Sequence, residues 1–509
     1  MRQTVILVIL DGWGIGEENE SNPIYRAEPK TIKFIEKNFP AGALQASGLA
    51  VGLPWEEEGN SEVGHLTLGA GRILHQHFLK ISSAIDNGSF FENAELKKAF
   101  AHAKKNNSAV HLVGLLSEGN VHSSLKHLSA LVEMAKREGA PRVYFQFFAD
   151  GRDSPPHSVI SLIQKLKTEN AIASLSGRFY AMNRDGHWDR TEKVYRVLTE
   201  QAQTLKTPEE MAKAAYDRNF NDEFIEPSTV SGPYPIQDND AVIFFNFRED
   251  SMRQISEPFL NPAFKEFEIK KFQNLYIVVM TKYHERFPMN VAFATEKIEN
   301  PLGKVLADAG KIQLRIAETQ KYAHVTYFFD GYHDKPFQNE YRILVPSEKL
   351  AHPEEHPAMM AEVITDRAVI SLNEGGFDFI LVNYANPDIT AHTKNYNAVL
   401  EAVNVIDREL ERLMKSALGH DHILFITSDH GNAENLIDLK TGEPETKHNS
   451  NPVPFYLVAK QFQKSVPAPE GKRLENIGML SDVAPTILEL MKLPQPPEMT
   501  GQSLLEQLI

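Results

Sequence analysis

Short runs that are apolar at every position alternate along the chain with longer stretches whose apolar residues return at helical spacing. Val5-Ile6-Leu7-Val8-Ile9-Leu10 stops at Asp11-Gly12-Trp13-Gly14, and Ile423-Leu424-Phe425-Ile426-Thr427 stops at Ser428-Asp429-His430-Gly431-Asn432. Continuous apolar runs predict strands of a parallel sheet buried on both faces, and ligands of open α/β sheets gather beyond the carboxyl ends of such strands. Asp11, Asp429 and His430 therefore fall where a site is built. Phe379-Ile380-Leu381-Val382-Asn383-Tyr384 leads in the same way to Asn386-Pro387-Asp388-Ile389-Thr390-Ala391-His392. One helical turn there presents Asp388 and His392 to a single metal. In Gly59-Asn60-Ser61-Glu62-Val63-Gly64-His65, Ser61 precedes a helix-like segment, so its hydroxyl is expected at a helix N-terminus, where N–H groups stabilise phosphate. Serine is equally an ordinary N-cap. His448 follows in a proline-restricted loop, Lys447-His448-Asn449-Ser450-Asn451-Pro452-Val453-Pro454.

From about Leu74 to Glu299 the pattern changes, and four apolar runs each end in a polar or basic cluster. Val110–Leu116 leads to His122, and Val143–Phe148 leads to Arg152 and Asp153. Ser176–Met182 leads to Arg184 and Arg190, and Ala241–Phe245 leads to Arg248 and Arg253. Amphipathic segments such as Leu125–Ala135 separate them, so this insert is α/β in its own right. Guanidinium groups at the same end of successive parallel strands converge on one crevice and suit bidentate binding of phosphate and carboxylate. His75 and His77 could share one face of a strand but are read as part of a solvated linker.

A chain of 509 residues exceeds what one hydrophobic core serves, which predicts two domains. The net charge of −15 disfavours non-specific nucleic-acid binding and anionic membranes, so an anionic substrate has to be held by the local basic cluster. The absence of cysteine excludes disulfides and thiolate metal sites and is compatible with a cytoplasmic protein. The first apolar run is too short to span a membrane, and Asp11 stands where a signal peptide would need a small residue. Each chemically active residue has an ordinary explanation as a turn, cap or surface group. Together, Asp11, Ser61, Asp388, His392, Asp429, His430 and His448 supply enough oxygen and nitrogen donors for two divalent ions with a serine between them.

In their order from Leu10-Asp11-Gly12 to His448-Asn449-Ser450-Asn451-Pro452, these motifs resemble the cofactor-independent (2,3-bisphosphoglycerate-independent) phosphoglycerate mutases of the alkaline-phosphatase superfamily. The resemblance implies a phosphatase-like domain of residues 1–75 and 300–509, with a phosphotransferase domain, 76–299, inserted after the nucleophile. It implies two Mn²⁺ ions, with Zn²⁺ or Co²⁺ as alternatives: one on Asp388, His392 and His448, the other on Asp11, Ser61, Asp429 and His430. Ser61 would become phosphoserine, Asp153 would shuttle a proton and Lys321 would offset phosphoryl charge. The substrate residues carried over are His122, Arg152, Asp153, Arg184, Arg190, Arg248 and Lys321. The implied reaction interconverts 3-phosphoglycerate and 2-phosphoglycerate, with closure of the domains during transfer, in a monomer expected in the cytoplasm. One position departs from the family pattern: Ser251 stands where a second arginine is usual, and Arg253 is the candidate substitute. The competing readings are a metal-dependent phosphomonoesterase or related mutase such as a phosphopentomutase, and a metal-binding protein without turnover.

Overall fold

The computed structural model describes the chain except residues 1–2, 56, 167–170, 201–205, 231–233, 285, 295–297, 349–351, 446, 470 and 472. In chain order its strands are β1 (Val5–Leu10), β2 (Ala41–Gln45), β3 (Ala109–Leu116), β4 (Arg142–Ala149), β5 (Ile172–Gly177), β6 (Ser228–Thr229), β7 (Ala241–Phe244) and β8 (Tyr276–Val279). They continue as β9 (Asn290–Val291), β10 (Gln313–Glu318), β11 (Glu340–Val345), β12 (Phe379–Tyr384), β13 (Ile423–Thr427), β14 (Val453–Val458) and β15 (Asn476–Met479). Two compact units result, one of Met1–His75 with Lys297–Ile509 and the other of Gln76–Glu296. Both are α/β.

The first unit holds an eight-stranded sheet in the order β11-β10-β12-β1-β13-β14-β2-β15. Its centre is parallel: β1 lies between β12 and β13, with Val5 opposite Phe379 on one side and Ile423 on the other. Only β14 runs against its neighbours. The uninterrupted apolar character of β1 now has its cause, because Ile6, Val8 and Leu10 enter the core on one face while Val5, Leu7 and Ile9 enter the core on the other. Burying each such side chain is worth roughly 1.5–3 kcal/mol, so a polar residue anywhere in the run would be costly. The long helix Tyr396–Gly419 covers one face with Val399, Val403, Ile406, Leu410, Leu413 and Ala417. Its start is fixed by Asn395, whose side chain accepts from the Ala398 N–H.

The second unit has a seven-stranded sheet, β6-β5-β4-β3-β7-β8-β9, parallel except for β6. The chain winds outward from β3 through β4 to β5 and then restarts on the other side of β3 with β7. The loops after β3 and β7 therefore flank a topological switch point, where such sheets bind ligands.

Two expectations change. The run Ser176–Met182 is not one strand: β5 ends at Gly177 and Arg178–Ala181 turns as a helix. His77 opens the helix His77–Asp86 instead of lying in a solvated linker, and burial lowers its pKa. Among the described residues, no helix is long and apolar enough to cross a membrane.

Close packing ties the sheet to the helix Ser61–Ala70. A Cβ on Gly64 would lie 2.4 Å from the Asp429 carbonyl oxygen and 2.7 Å from the Asp429 Cβ. We expect Gly64→Ala to cost about 1–3 kcal/mol, read as a lower denaturation midpoint. An unchanged midpoint would show that the helix shifts freely away from the end of β13.

Candidate active site

Four parallel strands, one helix and the loop before β14 deliver the first unit's polar cluster. Asp11 follows β1, and Gly12 (φ +72°) turns the chain immediately, with no room for a Cβ, which would come within 2.9 Å of the Asp388 Cβ. The loop after β1 is laced to the loop after β13: Gly12 N–H donates to Asp429 Oδ1 (3.1 Å), Trp13 N–H to Ser428 Oγ (3.0 Å) and Gly14 N–H to buried Glu434 (2.9 Å). Asp388 and His392 both lie on the short helix Asn386–His392 that follows β12. Lys321 ends the 3₁₀ turn Thr319–Lys321 directly after β10. Ser61 is the first helical residue of Ser61–Ala70, and the capping role belongs to Asn60, whose side chain accepts from Val63 N–H (3.0 Å). The Ser61 hydroxyl is thereby released from capping.

That hydroxyl is the meeting point of the cluster. Ser61 Oγ donates to Asp11 Oδ1 (3.0 Å), accepts from Lys321 Nζ (2.7 Å) and lies 3.1 Å from His430 Nε2. Lys321 also donates to Asp11 Oδ1 (2.6 Å) and Asp388 Oδ2 (2.7 Å), so its three protons are all used. Burial opposes the Lys321 charge, but Asp11, Asp388 and Asp429 outweigh it and raise its pKa above the usual lysine range. The same pairings, led by Lys321, hold Asp11 and Asp388 ionised against their own burial. For His430, burial is again overcome, first by Asp429 and then by Asp11 and Asp388, and its pKa rises to about 9.

The donors fit two divalent cations. His392 Nε2 and His448 Nε2 face each other at 3.2 Å, with Asp388 Oδ1 at 3.3 and 3.6 Å, so three electron-pair donors crowd one point. His448 presents Nε2 there because its Nδ1 lies 2.8 Å from the Gly59 carbonyl. On the other side of Asp388, His430 Nε2 stands 3.6 Å from Asp11 Oδ1 and 3.8 Å from Asp429 Oδ2. Asp429 Oδ2 is buried without a hydrogen-bond partner; His65 Nδ1 is 3.1 Å away but is directed at the Ser61 carbonyl, 2.9 Å distant. A carboxylate oxygen left bare in a buried site is what a cation would satisfy. Oxygen and imidazole donors without thiolate suit Mn²⁺, Zn²⁺ or Co²⁺.

Residues not singled out from the sequence orient these groups. Asn383 Nδ2 donates to Asp11 Oδ2 (2.8 Å) and Asn432 Nδ2 to Asp388 Oδ1 (2.8 Å). His65 is fully buried between Ser61, Asn383 and Asp429. Asn383 interrupts an apolar run without indicating what it touches, and Asn432, in the turn beyond β13, carries no such mark.

The second unit carries a separate basic cluster. His122, after β3, has Nε2 3.9 Å from Asp153 Oδ2, after β4. Arg178, at the end of β5, donates from Nη1 to Asp150 Oδ1 and Asp153 Oδ2, both at 2.6 Å, and is largely buried. Placing the strand too late in the sequence hid Arg178 within an apolar run. Arg184 and Arg248 are brought together by Asp250, which accepts from Arg184 and lies 3.4 Å from Arg248 Nε. Arg152 is mostly exposed, with Glu223 4.0 Å away, and Arg190 lays its guanidinium 3.9 Å over the Phe179 ring. Arg253 starts the helix Arg253–Leu260 and donates from Nε to the Tyr283 carbonyl (3.3 Å).

Residues 81–285 match the family described as the BPG-independent PGAM N-terminus. A 2,3-bisphosphoglycerate-independent phosphoglycerate mutase of Ectopseudomonas mendocina (strain ymp) is 42% identical, covering 99% of this chain and 98% of its own. One from Moorella thermoacetica is also 42% identical, covering 99% of both chains. The crystal structure of Leishmania mexicana phosphoglycerate mutase at low cobalt concentration superposes with a TM-score of 0.63 at 28% identity, over 99% of this chain and 97% of that one.

His430 gives the cluster a defined pH response. Its raised pKa stabilises the metal-free fold below pH 6.5, a contribution lost as pH rises through about 9. A metal takes the unprotonated nitrogen, so binding must expel this proton. Apparent Mn²⁺ affinity is expected to climb roughly tenfold per pH unit from 7 towards 9, with proton release visible by calorimetry in buffers of different ionisation enthalpy. An affinity flat across that range would mean that His430 is not displaced from its carboxylates.

Proposed function

The chain belongs to the 2,3-bisphosphoglycerate-independent phosphoglycerate mutases, and from that premise we propose that Ser61 carries the phosphoryl group as 3-phosphoglycerate and 2-phosphoglycerate interconvert. The observation that supports this role is the Ser61 hydroxyl itself, uncapped, buried and set between a carboxylate, an ammonium and an imidazole.

Asp388, His392 and His448 would hold one ion, and Asp11, Ser61, Asp429 and His430 the second. Bound there, such ions acidify the serine hydroxyl and offset charge on phosphoryl oxygens. Mn²⁺ is the proposed pair, with Zn²⁺ and Co²⁺ competing for the same donors. Asp11 orients the Ser61 hydroxyl through Oδ1 and is itself fixed by Asn383. Lys321 remains cationic throughout the working pH range, so it can transfer its hydrogen bonds from carboxylates to a phosphoryl oxygen as charge develops. Ser61 leads its helix, and a phosphate on its oxygen would sit at the positive end of the helix dipole.

The glycerate half is assigned to the second unit. Arg184 and Arg248, gathered by Asp250, together with Arg152 and Arg190 supply the positive charge for carboxylate and phosphate, and His122 contributes a neutral ring. Asp153, held on one oxygen by Arg178, is the proposed proton shuttle between the two glycerate hydroxyls. Because water at phospho-Ser61 would release phosphate, glycerate has to stay bound until it takes the group back. A cytoplasmic monomer is the proposed working form; a sedimenting dimer would overturn the monomer.

Purified protein supplied with Mn²⁺ and 3-phosphoglycerate, without 2,3-bisphosphoglycerate, is expected to form 2-phosphoglycerate with little free phosphate. Chelation should abolish turnover, and Ser61→Ala should lower it on the order of 10⁴-fold or more. Full activity in Ser61→Ala would remove the phosphoserine route. Phosphate as the sole product would favour the phosphomonoesterase reading.

A further inference from the structure

The loop after β7 offers a hydroxyl at the position where an arginine is usual in the family. Ser251 is buried, and its Oγ lies 3.0 Å from His122 Nδ1 and 3.3 Å from the Arg248 carbonyl oxygen. The backbones meet at the same place, with Phe247 N–H donating to the His122 carbonyl (2.8 Å). This is the switch point between β3 and β7. Arg253, the candidate substitute two residues on, donates from Nε to the Tyr283 carbonyl (3.3 Å).

A neutral imidazole carries a single N–H, and the nitrogen that bears it decides whether the ring shows a ligand a donor or a lone pair. His122 is neutral at physiological pH, because burial and then Arg178 and Arg248 push its pKa down to about 4. Two distances choose between its tautomers. The Asp153 carboxylate oxygen 3.9 Å from Nε2 favours a proton on that nitrogen. The single Ser251 proton can go to the Arg248 carbonyl at 3.3 Å, leaving Oγ to accept from an Nδ1–H, or to a bare Nδ1 at 3.0 Å, and the shorter contact favours donation to Nδ1.

We infer that Ser251 is a positioning residue that holds His122 as the Nε2–H tautomer, so that the ring donates a hydrogen bond to an anionic oxygen of phosphoglycerate. The inference rests on the assignment of His122 to the substrate. The opposite tautomer would turn a lone pair towards the same anion and repel it. Replacing a guanidinium by a hydroxyl therefore removes one positive charge and enlists a neutral donor already in the site.

The test uses the full-length, Mn²⁺-free protein labelled with ¹⁵N-histidine for two-bond ¹⁵N–¹H correlation, with His122→Gln identifying the resonances, and the Mn²⁺-loaded protein for kinetics. The expected spectrum shows His122 neutral and protonated at Nε2. Ser251→Ala should mix the tautomers and raise KM for 3-phosphoglycerate roughly five- to tenfold, the worth of one hydrogen bond, with kcat changed much less. Ser251→Thr, which keeps the hydroxyl, should restore both readouts. A wild-type ring protonated at Nδ1 overturns the inference even if no variant folds. If His122→Ala raises KM while Ser251→Ala does not, only the tautomer role falls; if His122→Ala leaves KM unchanged, the substrate assignment falls and takes this inference with it.

Discussion

The mutual repulsion of Asp11, Asp388 and Asp429 is the constraint on which the first unit depends. All three carboxylates are buried at the ends of adjacent parallel strands or just beyond them. Two like charges about 4 Å apart repel by about 4 kcal/mol at an effective dielectric of 20, and burial adds a desolvation cost to each. The fold cannot hold them without cations at fixed positions. Lys321 is therefore buried and donates to Asp388 Oδ2, His430 is driven towards its charged form, and the remaining carboxylate oxygens in the cluster but one are given an amide, hydroxyl or backbone donor. The exception is Asp429 Oδ2. Strain concentrated in this way is also a binding potential, since a divalent ion relieves at once what two side chains relieve only in part.

The strands that carry this cluster were legible because burial on both faces demands an unbroken apolar run, and a carboxylate ending such a run is conspicuous. β1, β12 and β13 could thus be read directly, together with Asp11, Asp388 and Asp429. Register and neighbour order were not readable, since nothing within Val5–Leu10 states that its partners lie near residues 379 and 423. β5 was misplaced because Phe179-Tyr180-Ala181-Met182 is as apolar as a strand, although its side chains serve a helical turn.

The chemically obvious residues could be found one by one, whereas those that orient them could not. Asn383 occupies a strand interior and Asn432 a turn, both common settings for asparagine, and only the folded geometry shows them donating to Asp11 and Asp388. Arg178 and Asp250 are equally silent, since charged residues near strand ends are ordinary on any protein surface. Ser251 stood out through the pattern it broke. Its contact with His122 depends on the loops after β3 and β7 meeting in the fold.

The pairing of β1 with β12 and β13 also sets a schedule for the nascent chain. Val5 waits for Phe379 and Ile423, so the central strand of the first sheet emerges from the ribosome long before either neighbour exists. Residues 76–296, by contrast, contain all the strands of their own sheet and can close it while the remainder is still being translated. Throughout that interval the six apolar residues of β1 have no sheet to enter. The insertion that gives the enzyme its second half thus separates the first strand from its partners in time, and the candidate metal donors Asp11, Asp388 and Asp429 cannot meet until the last of those strands has been made.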